Sequence, residues 1–449
     1  MDLKKVIIFP VPAMGHLNTI FVVAKNLLKQ IPNLKIIIYG SEYIKSKIEE
    51  IGCFYMEIEN LDLEEAQRKL HKTGKVIDVM TETASMMLDC TEATALKISE
   101  YIEKENPDLV LYDNTASYGK WAAKIAKTKA KNLKTKFVVY HPQFVFQKDV
   151  FPNSAEKQEL MKMNFCDKIK FGFFGLKLYM RTRSMKKKFG IPDDMDTDVM
   201  FTNTDLINIV FLFPGLQARS ELMHENVKFV GACIDDGIHL ENLNNVKDES
   251  IKEFLKMFAP RNPSSTSPGL NQNFLIYVSL GSMFTDNFDF YLKVIEAFNM
   301  FVTRSKSNNI FAIINVGKVC YSEFNNGNYT IPKAIKIVPY APQLEVLKRA
   351  SVFLTHCGMN STSESIWFGV PMICSPVSVD QPLVANRVVN ELGMGVLLNI
   401  HDFKVEDLTN SFHTIYTDDR FHKKAYEYAQ VSQKYNGNQR ATEIIKKYL

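Results

Sequence analysis

Two residues early in the chain have the types and surroundings needed for proton transfer. His16 follows the apolar run Val6-Ile7-Ile8-Phe9 through Val11-Pro12-Ala13-Met14-Gly15, and Asp113 closes the run Asp108-Leu109-Val110-Leu111-Tyr112. If both runs are parallel strands, both side chains stand at the carboxyl edge of one sheet, where open α/β sheets bind ligands. Gly15 allows a sharp turn, and the helix start beyond it adds partial positive potential. A neutral imidazole there can take a proton from a hydroxyl. A carboxylate on its far nitrogen fixes the tautomer and stabilises the imidazolium that forms. The alternatives are a structural or merely exposed loop histidine and an aspartate that caps the segment beginning near Ser117.

A denser constellation lies between Tyr340 and Gly395. It reads Tyr340-Ala341-Pro342-Gln343, then Phe353-Leu354-Thr355-His356-Cys357-Gly358-Met359-Asn360-Ser361-Thr362-Ser363-Glu364, then Gly369-Val370-Pro371-Met372 and Asp380-Gln381, with Asn386 beyond. In this order the elements resemble the donor-binding motif of the UDP-glycosyltransferase family, inverting enzymes with a GT-B fold. The resemblance extends along the chain, since the Gly15-His16 loop, Asp113 and the Leu280-Gly281-Ser282 loop fall where the family has them.

Each element then has a physical task. A Ser-rich helix start after Gly358, with Asn360 and Ser361 in its first turn, presents backbone N–H groups and a positive dipole end to a diphosphate. His356 and Ser282 can donate to phosphate oxygens from facing loops, and Glu364 is placed to accept both ribose hydroxyls. The resemblance implies that Tyr340 stacks on uracil while the Ala341 backbone and Gln343 bond its edge. It also implies that Asp380 and Gln381 hold the hydroxyls of the transferred sugar, which points to UDP-glucose, with UDP-galactose and UDP-N-acetylglucosamine left open. Plant members carry tryptophan where this chain has Tyr340 and Met359; tyrosine still stacks.

The elements that must position these residues read as two βα series. The first has strand candidates at Val6 to Phe9, Lys35 to Tyr39, Asp108 to Tyr112, Lys136 to Tyr140 and Asn208 to Leu212. Leu17, Ile20, Phe21, Ala24, Leu27 and Leu28 recur at helical spacing after the first of them. The second series opens at Phe274 to Ser279. It continues with a helix from about 288 to 304 and strands at Ile310 to Ile314, Ile335 to Val338 and Val352 to Leu354. Between them, Ala259 to Gly269 is rich in Pro, Ser and Gly and reads as an exposed loop. The expected fold is α/β, GT-B: two facing doubly wound Rossmann-like domains with a cleft between them. The expected divisions are an acceptor-binding domain over 1–235, a linker and mobile loop over 236–273 and a UDP-sugar-binding domain over 274–420. Helices over 421–449 are expected to pack back on the first domain.

A chain of 449 residues suits two cores, and 46% hydrophobic with 23% charged residues is the balance of a folded globular protein. The net charge of +4 is spread along the chain and gives no basic arm for nucleic acid. Lys186, Lys187 and Lys188 read as a solvated helix face. The seven cysteines lack CxxC or metal-ligand spacing, which suits reduced thiols and a cytoplasmic location. No run approaches the ~18 apolar residues of a membrane span, and no secretory leader is legible. Asp194-Met195-Asp196-Thr197-Asp198 imitates a metal-binding DxD but lacks the preceding apolar strand, so it reads as a polar turn and no metal is expected.

The implied reaction is one in-line displacement. His16 deprotonates an acceptor hydroxyl, Asp113 supports the imidazolium, and the oxygen attacks the anomeric carbon opposite UDP. An α-linked donor then gives a β-glycoside. The acceptor pocket is expected in the first domain, with Met80, Met86, Met87, His141, Phe144, Phe146, Phe171, Phe173 and Phe174 as candidate walls, while His141 and Gln143, after the strand ending at Tyr140, are also candidates to touch the donor sugar; ordinary core packing is the other reading of the walls. Such walls suit lipophilic acceptors: phenols, flavonoids, macrolides or xenobiotics. A UDP-sugar epimerase or hydrolase, and a binding protein without catalysis, are the competing functions. Oligomeric state is not legible.

Overall fold

The computed structural model describes residues 3–58, 76–130, 132–153, 165–193, 195, 197, 201–234, 243, 246, 248–261, 273–281, 285–327, 329–377 and 380–449, with the backbone alone at 76, 77, 79, 80 and 165–167. The chain divides into two compact units, 1–233 with 435–449, and 234–434.

The first unit holds β1 (Lys4–Phe9), β2 (Leu34–Gly40), β3 (Phe54–Glu57), β4 (Leu109–Asp113), β5 (Lys136–His141), β6 (Ile207–Val210) and β7 (Val227–Phe229). They form one parallel sheet in the order β3-β2-β1-β4-β5-β6-β7. Its helices include α1 (Met14–Gln30), α2 (Lys45–Glu50), α3 (Val76–Glu105), α4 (Ser117–Lys129) and α5 (Phe165–Phe189). Strand β1 shows why the runs are apolar without alternation: both faces of the sheet are covered. Val6 and Ile8 pack with Leu17, Ile20 and Ala24 of α1 on one side. Ile7 and Phe9 pack with Cys90 of α3 and Trp121 of α4 on the other.

The second unit holds α6 (Glu249–Lys256), β8 (Phe274–Ser279), α7 (Phe288–Ser305), β9 (Ile310–Asn315), α8 (Gly317–Asn326), β10 (Ile335–Val338), α9 (Gln343–Leu347), β11 (Val352–Thr355), α10 (Met359–Trp367), β12 (Met372–Cys374), α11 (Gln381–Asn386), β13 (Gly395–Leu397), α12 (Val405–Thr417) and α13 (Asp419–Ser432). Its sheet is again parallel, in the order β10-β9-β8-β11-β12-β13. Phe274, Ile276 and Val278 of β8 meet Phe298 and Phe301 of α7 and Phe412 of α12 in its core.

Two stretches differ in detail from the reading of the sequence. Residues 236–273 include α6, which belongs to the second unit. Asp248 caps it by accepting from the Ser250 and Ile251 amides, and it buries Ile251 and Leu255. Of residues 421–449, α13 belongs to the second unit, while α14 (Gly437–Lys446) belongs to the first and sets Ala441 and Ile445 in the core beside α1. Residues 262–270, at the heart of the Pro- and Ser-rich loop, lie outside the described residues, as do Asp194, Asp196 and Asp198.

Each sheet has one place where strand order reverses. In the first it lies between β1 and β4, and in the second between β8 and β11. Within each sheet by itself, the carboxyl ends of the two strands at this reversal are where open α/β sheets bind ligands. His16, Gly281 and His356 sit on or just beyond the loops that leave these strands and Asp113 ends β4, whereas Tyr340 and Gln343 follow β10 and Asp380 and Gln381 follow β12.

Candidate active site

His16 lies in the first turn of α1, directly beyond β1, and Asp113 is the last residue of β4. His16 Nδ1 and Asp113 Oδ2 are 2.7 Å apart. Asp113 is wholly buried, and its second oxygen accepts from the Thr115 amide at 2.9 Å and the Thr115 hydroxyl at 2.6 Å. Burial by itself would raise its pKa. The charge and hydrogen bond of His16, with the two bonds from Thr115, outweigh burial and hold the carboxyl below its ordinary 3.8. The carboxylate only accepts, so Nδ1 is the protonated nitrogen and the lone pair of a neutral ring is on Nε2. The His16 ring is partly open to solvent. This arrangement can accept a proton on Nε2 and stabilise the resulting cation.

In the second unit, His356 follows β11 and is sandwiched by two glycines. A Cβ on Gly281 would stand 2.7 Å from His356 Cε1, and one on Gly358 would stand 2.5 Å from Nε2. Gly281 has φ +79°, as glycine alone tolerates readily. Burial pushes the His356 pKa down to about 4, so the ring is neutral near pH 7. Cys357, buried at φ +63°, turns the chain into α10, whose N-cap is Gly358 without a side-chain bond to the first-turn amides. A helix start of this kind offers backbone N–H groups to an anion.

Around it lies a hydrogen-bonded cluster. Gln343 Nε2 donates to Glu364 Oε2 at 2.6 Å and to Ser361 Oγ at 3.1 Å, while the Tyr277 hydroxyl donates to Gln343 Oε1 at 3.2 Å. Tyr340 is 70% exposed, Ala341 is buried, and Asn360 is half-buried in the first turn of α10. Asp380 is the N-cap of α11, and Gln381 Oε1 accepts from the Val377 amide at 2.8 Å. Ser282 lies outside the described residues.

Residues 275–434, which are nearly the whole of this unit, match the family model described as UDP-glucoronosyl and UDP-glucosyl transferase. The whole chain is 25% identical over 444 residues to the uncharacterized UDP-glucosyltransferase YojK of Bacillus subtilis, with 99% of this chain and 97% of that one covered. It is 26% identical over 452 residues to the NDP-glycosyltransferase YjiC of Bacillus licheniformis, covering 100% and 98%. The second unit thus carries the match to the UDP-glycosyltransferase family, and these relatives along the whole chain are glycosyltransferases by name. The chain's fold is GT-B: the solved glycotransferase of kitacinnamycin matches it with a TM-score of 0.72 at 19% identity, covering 100% of this chain and 99% of that one.

Of the enzyme's expected acceptor walls, Met87, His141 and Phe144 are buried, Met86, Phe146, Phe171 and Phe174 are half-buried and Phe173 is exposed; Gln143 is half-buried. Met87 of α3 belongs to the core, and Phe144 is buried with its ring 5.3 Å from Phe151. Phe146 is half-buried, 5.5 Å from the same ring. His141 ends β5 as a buried polar residue. Its Nε2 lies 3.0 Å from Asn208 Oδ1 and 3.2 Å from Thr202 Oγ1, and burial lowers its pKa to about 4. Met80 lies in α3, with its side chain outside the description. Among the described residues no group of three His, Cys, Asp or Glu side chains is gathered for a metal.

Two partners, Thr115 and Tyr277, and one contact, that of Gly281 with His356, were not singled out from the sequence. Thr115, two residues after Asp113, has the spacing of a local side-chain turn and could have been found by it. Tyr277 lies mid-strand in an apolar run, and the contact of Gly281 with His356 joins positions 75 apart; neither leaves a local signal.

Proposed function

We propose that the glycosyltransferase is an inverting enzyme that transfers glucose from UDP-glucose to a hydroxyl of a small lipophilic acceptor. The 2.7 Å bond between His16 and Asp113 at the switch point of the first sheet carries this reading. His16 Nε2 takes the hydroxyl proton as the acceptor oxygen bonds to the anomeric carbon; the bond from that carbon to the UDP oxygen breaks, and UDP leaves with the electron pair. Asp113 stabilises the imidazolium and holds the tautomer. In the second unit, the α10 N-terminus and neutral His356 neutralise charge on the departing diphosphate. Tyr340, the Ala341 backbone and Gln343 take the uracil, Glu364 the ribose, and Asp380 with Gln381 the sugar hydroxyls. Glucose is favoured by that last pair and by the naming of YojK as a UDP-glucosyltransferase. The acceptor is assigned to the first unit, where Met- and Phe-rich segments suit a phenol, flavonoid, macrolide or xenobiotic.

The test is mass spectrometry of the purified enzyme with several UDP-sugars and a panel of such hydroxyl compounds, followed by NMR of the product. A new glycoside, heavier by one hexosyl group, formed from UDP-glucose with β configuration is expected. An α-glycoside would overturn inversion, and conversion or hydrolysis of the UDP-sugar without glycoside would overturn transfer to such acceptors.

A further inference from the structure

Helix α5 is apolar on two opposite faces. The inner face sets Met185 and Phe189 in the core, where Phe189 meets Trp121 edge-on at 6.0 Å. The outer face leaves Ile169 45%, Phe173 71%, Leu176 55% and Met180 56% exposed. Their spacing of four, three and four residues puts all of them within an arc of about 60° at 100° per residue, in a stripe about 16 Å long. Isolated exposed apolar residues need no explanation, but an aligned row of four does.

The charge around the stripe is mainly positive. Helix α5 carries eight lysines and arginines against one acid, Asp167. Half of them face α3 or its carboxylates or close local turns: Lys170 pairs with Asp78, Arg181 with Asp89 and Glu92, Lys188 with Glu92, and Lys186 donates to the Asp193 and Met195 carbonyls. The other half surround the stripe. Lys168 lies on one flank and Lys177 on the other, while Arg183 and Lys187 continue its line. Among the described residues these four make no ion pair. An apolar stripe with cations on both flanks matches an anionic bilayer surface, where side chains enter the acyl boundary and the cations meet lipid phosphates.

We propose that the outer face of α5 docks the enzyme peripherally on anionic phospholipid membranes. No helix among the described residues is long and apolar enough to cross a membrane, so this attachment is reversible and salt-sensitive.

The test is co-sedimentation of the full chain with vesicles of phosphatidylcholine alone or mixed with phosphatidylglycerol, at low and high salt. Binding to the phosphatidylglycerol vesicles that falls with added salt is expected. The F173S/L176S variant should lower this binding about tenfold or more, and K177Q/R183Q/K187Q should lower it comparably. Both variants should keep wild-type UDP affinity by calorimetry, which shows that they are folded. Absence of binding to the anionic vesicles overturns the proposal, as does binding that F173S/L176S leaves unchanged in a folded protein. A concentration-dependent dimer in sedimentation velocity that F173S abolishes also overturns it, because a second copy then covers the stripe.

Discussion

His16 and Asp113, 97 residues apart in the chain, are joined by a 2.7 Å hydrogen bond where the strand order of the first sheet reverses. The topology produces this meeting. Strands β1 and β4 are neighbours in register, Phe9 opposite Tyr112, so a residue just past β1 faces the last residue of β4. Thr115 then secures the other carboxylate oxygen. The second sheet repeats the device at β8 and β11, where Ser279 is opposite Thr355 and Gly281 meets His356.

Replacing His16 with alanine removes the proposed base without touching the second unit. Turnover with UDP-glucose and a working acceptor should fall about 10²- to 10⁴-fold, the usual weight of a positioned base. UDP affinity by calorimetry should stay within about twofold. Full turnover in H16A would remove the histidine from this role.

Asp113→Asn keeps the shape but loses the charge that fixes the tautomer and supports the imidazolium. Turnover should drop about 10²- to 10⁴-fold, because the amide can hold the ring in the wrong tautomer, with the KM for the UDP-sugar unchanged. Stability has a defined sign as well. The folded carboxyl titrates below its ordinary 3.8, so its contribution is complete above that pH and is lost as pH falls toward the folded value. The melting temperature of D113N should lie below wild type at pH 7, and the gap should close in acid below about pH 4.

Gly281→Ala tests the sandwich around His356. A methyl group there would stand 2.7 Å from the ring, on a backbone at φ +79° that costs an L-residue about 1 kcal/mol. The ring must move from its proposed place at the diphosphate, so the KM for the UDP-sugar should rise about tenfold or more. Acceptor KM should change little. An unchanged donor KM would show that His356 does not need this seat.

The strands that carry these residues were legible because a covered parallel strand is a run of β-branched and aromatic residues bounded by turns. Phe274–Ser279 and Ile335–Val338 agree with the reading residue for residue, and Val352–Thr355 extends it by one. The short strands β3, β7, β12 and β13, three or four residues each, were not picked out. Three residues cannot establish a period, and four-residue β3, exposed at both ends, shows no covered run. At the proposed site, motif order singled out His16, Asp113, His356 and Glu364 and paired the first two, but the contacts of Gln343 with Glu364 and of Gly281 with His356 were not legible. Gln343 illustrates the difference: the motif assigns it to uracil, whereas the fold also bonds it to Glu364.

Glu364→Ala removes the proposed ribose acceptor and the 2.6 Å partner of Gln343 together. A hydrogen bond to a charged group is worth about 1.5–3 kcal/mol, which corresponds to a KM for the UDP-sugar raised roughly 10- to 150-fold. Turnover at saturating donor should fall less. Glu364→Gln should recover part of the affinity, since its amide oxygen still accepts; equal donor KM in all three proteins would count against the ribose role.

His141 supplies a pH test of the first unit's interior. Burial is the main cause of its low pKa; the Asn208 bond and the Asp113 charge act upward, and Lys120 acts downward. Its pKa is about 4 when folded against 6.5 for the free side chain, so between these values the unfolded chain binds a proton that the folded chain does not. Stability is therefore complete above pH 6.5 and declines as pH falls toward 4, by at most about 1.4 kcal/mol per pH unit for this group. His141→Gln cannot titrate in that range. Denaturant unfolding should show it less stable than wild type at pH 7, because the contacts to Asn208 and Thr202 are disturbed, with a shallower loss between pH 6.5 and 5. Equal slopes in the two proteins would mean that His141 is protonated in the folded enzyme, and the buried neutral ring would have to be abandoned.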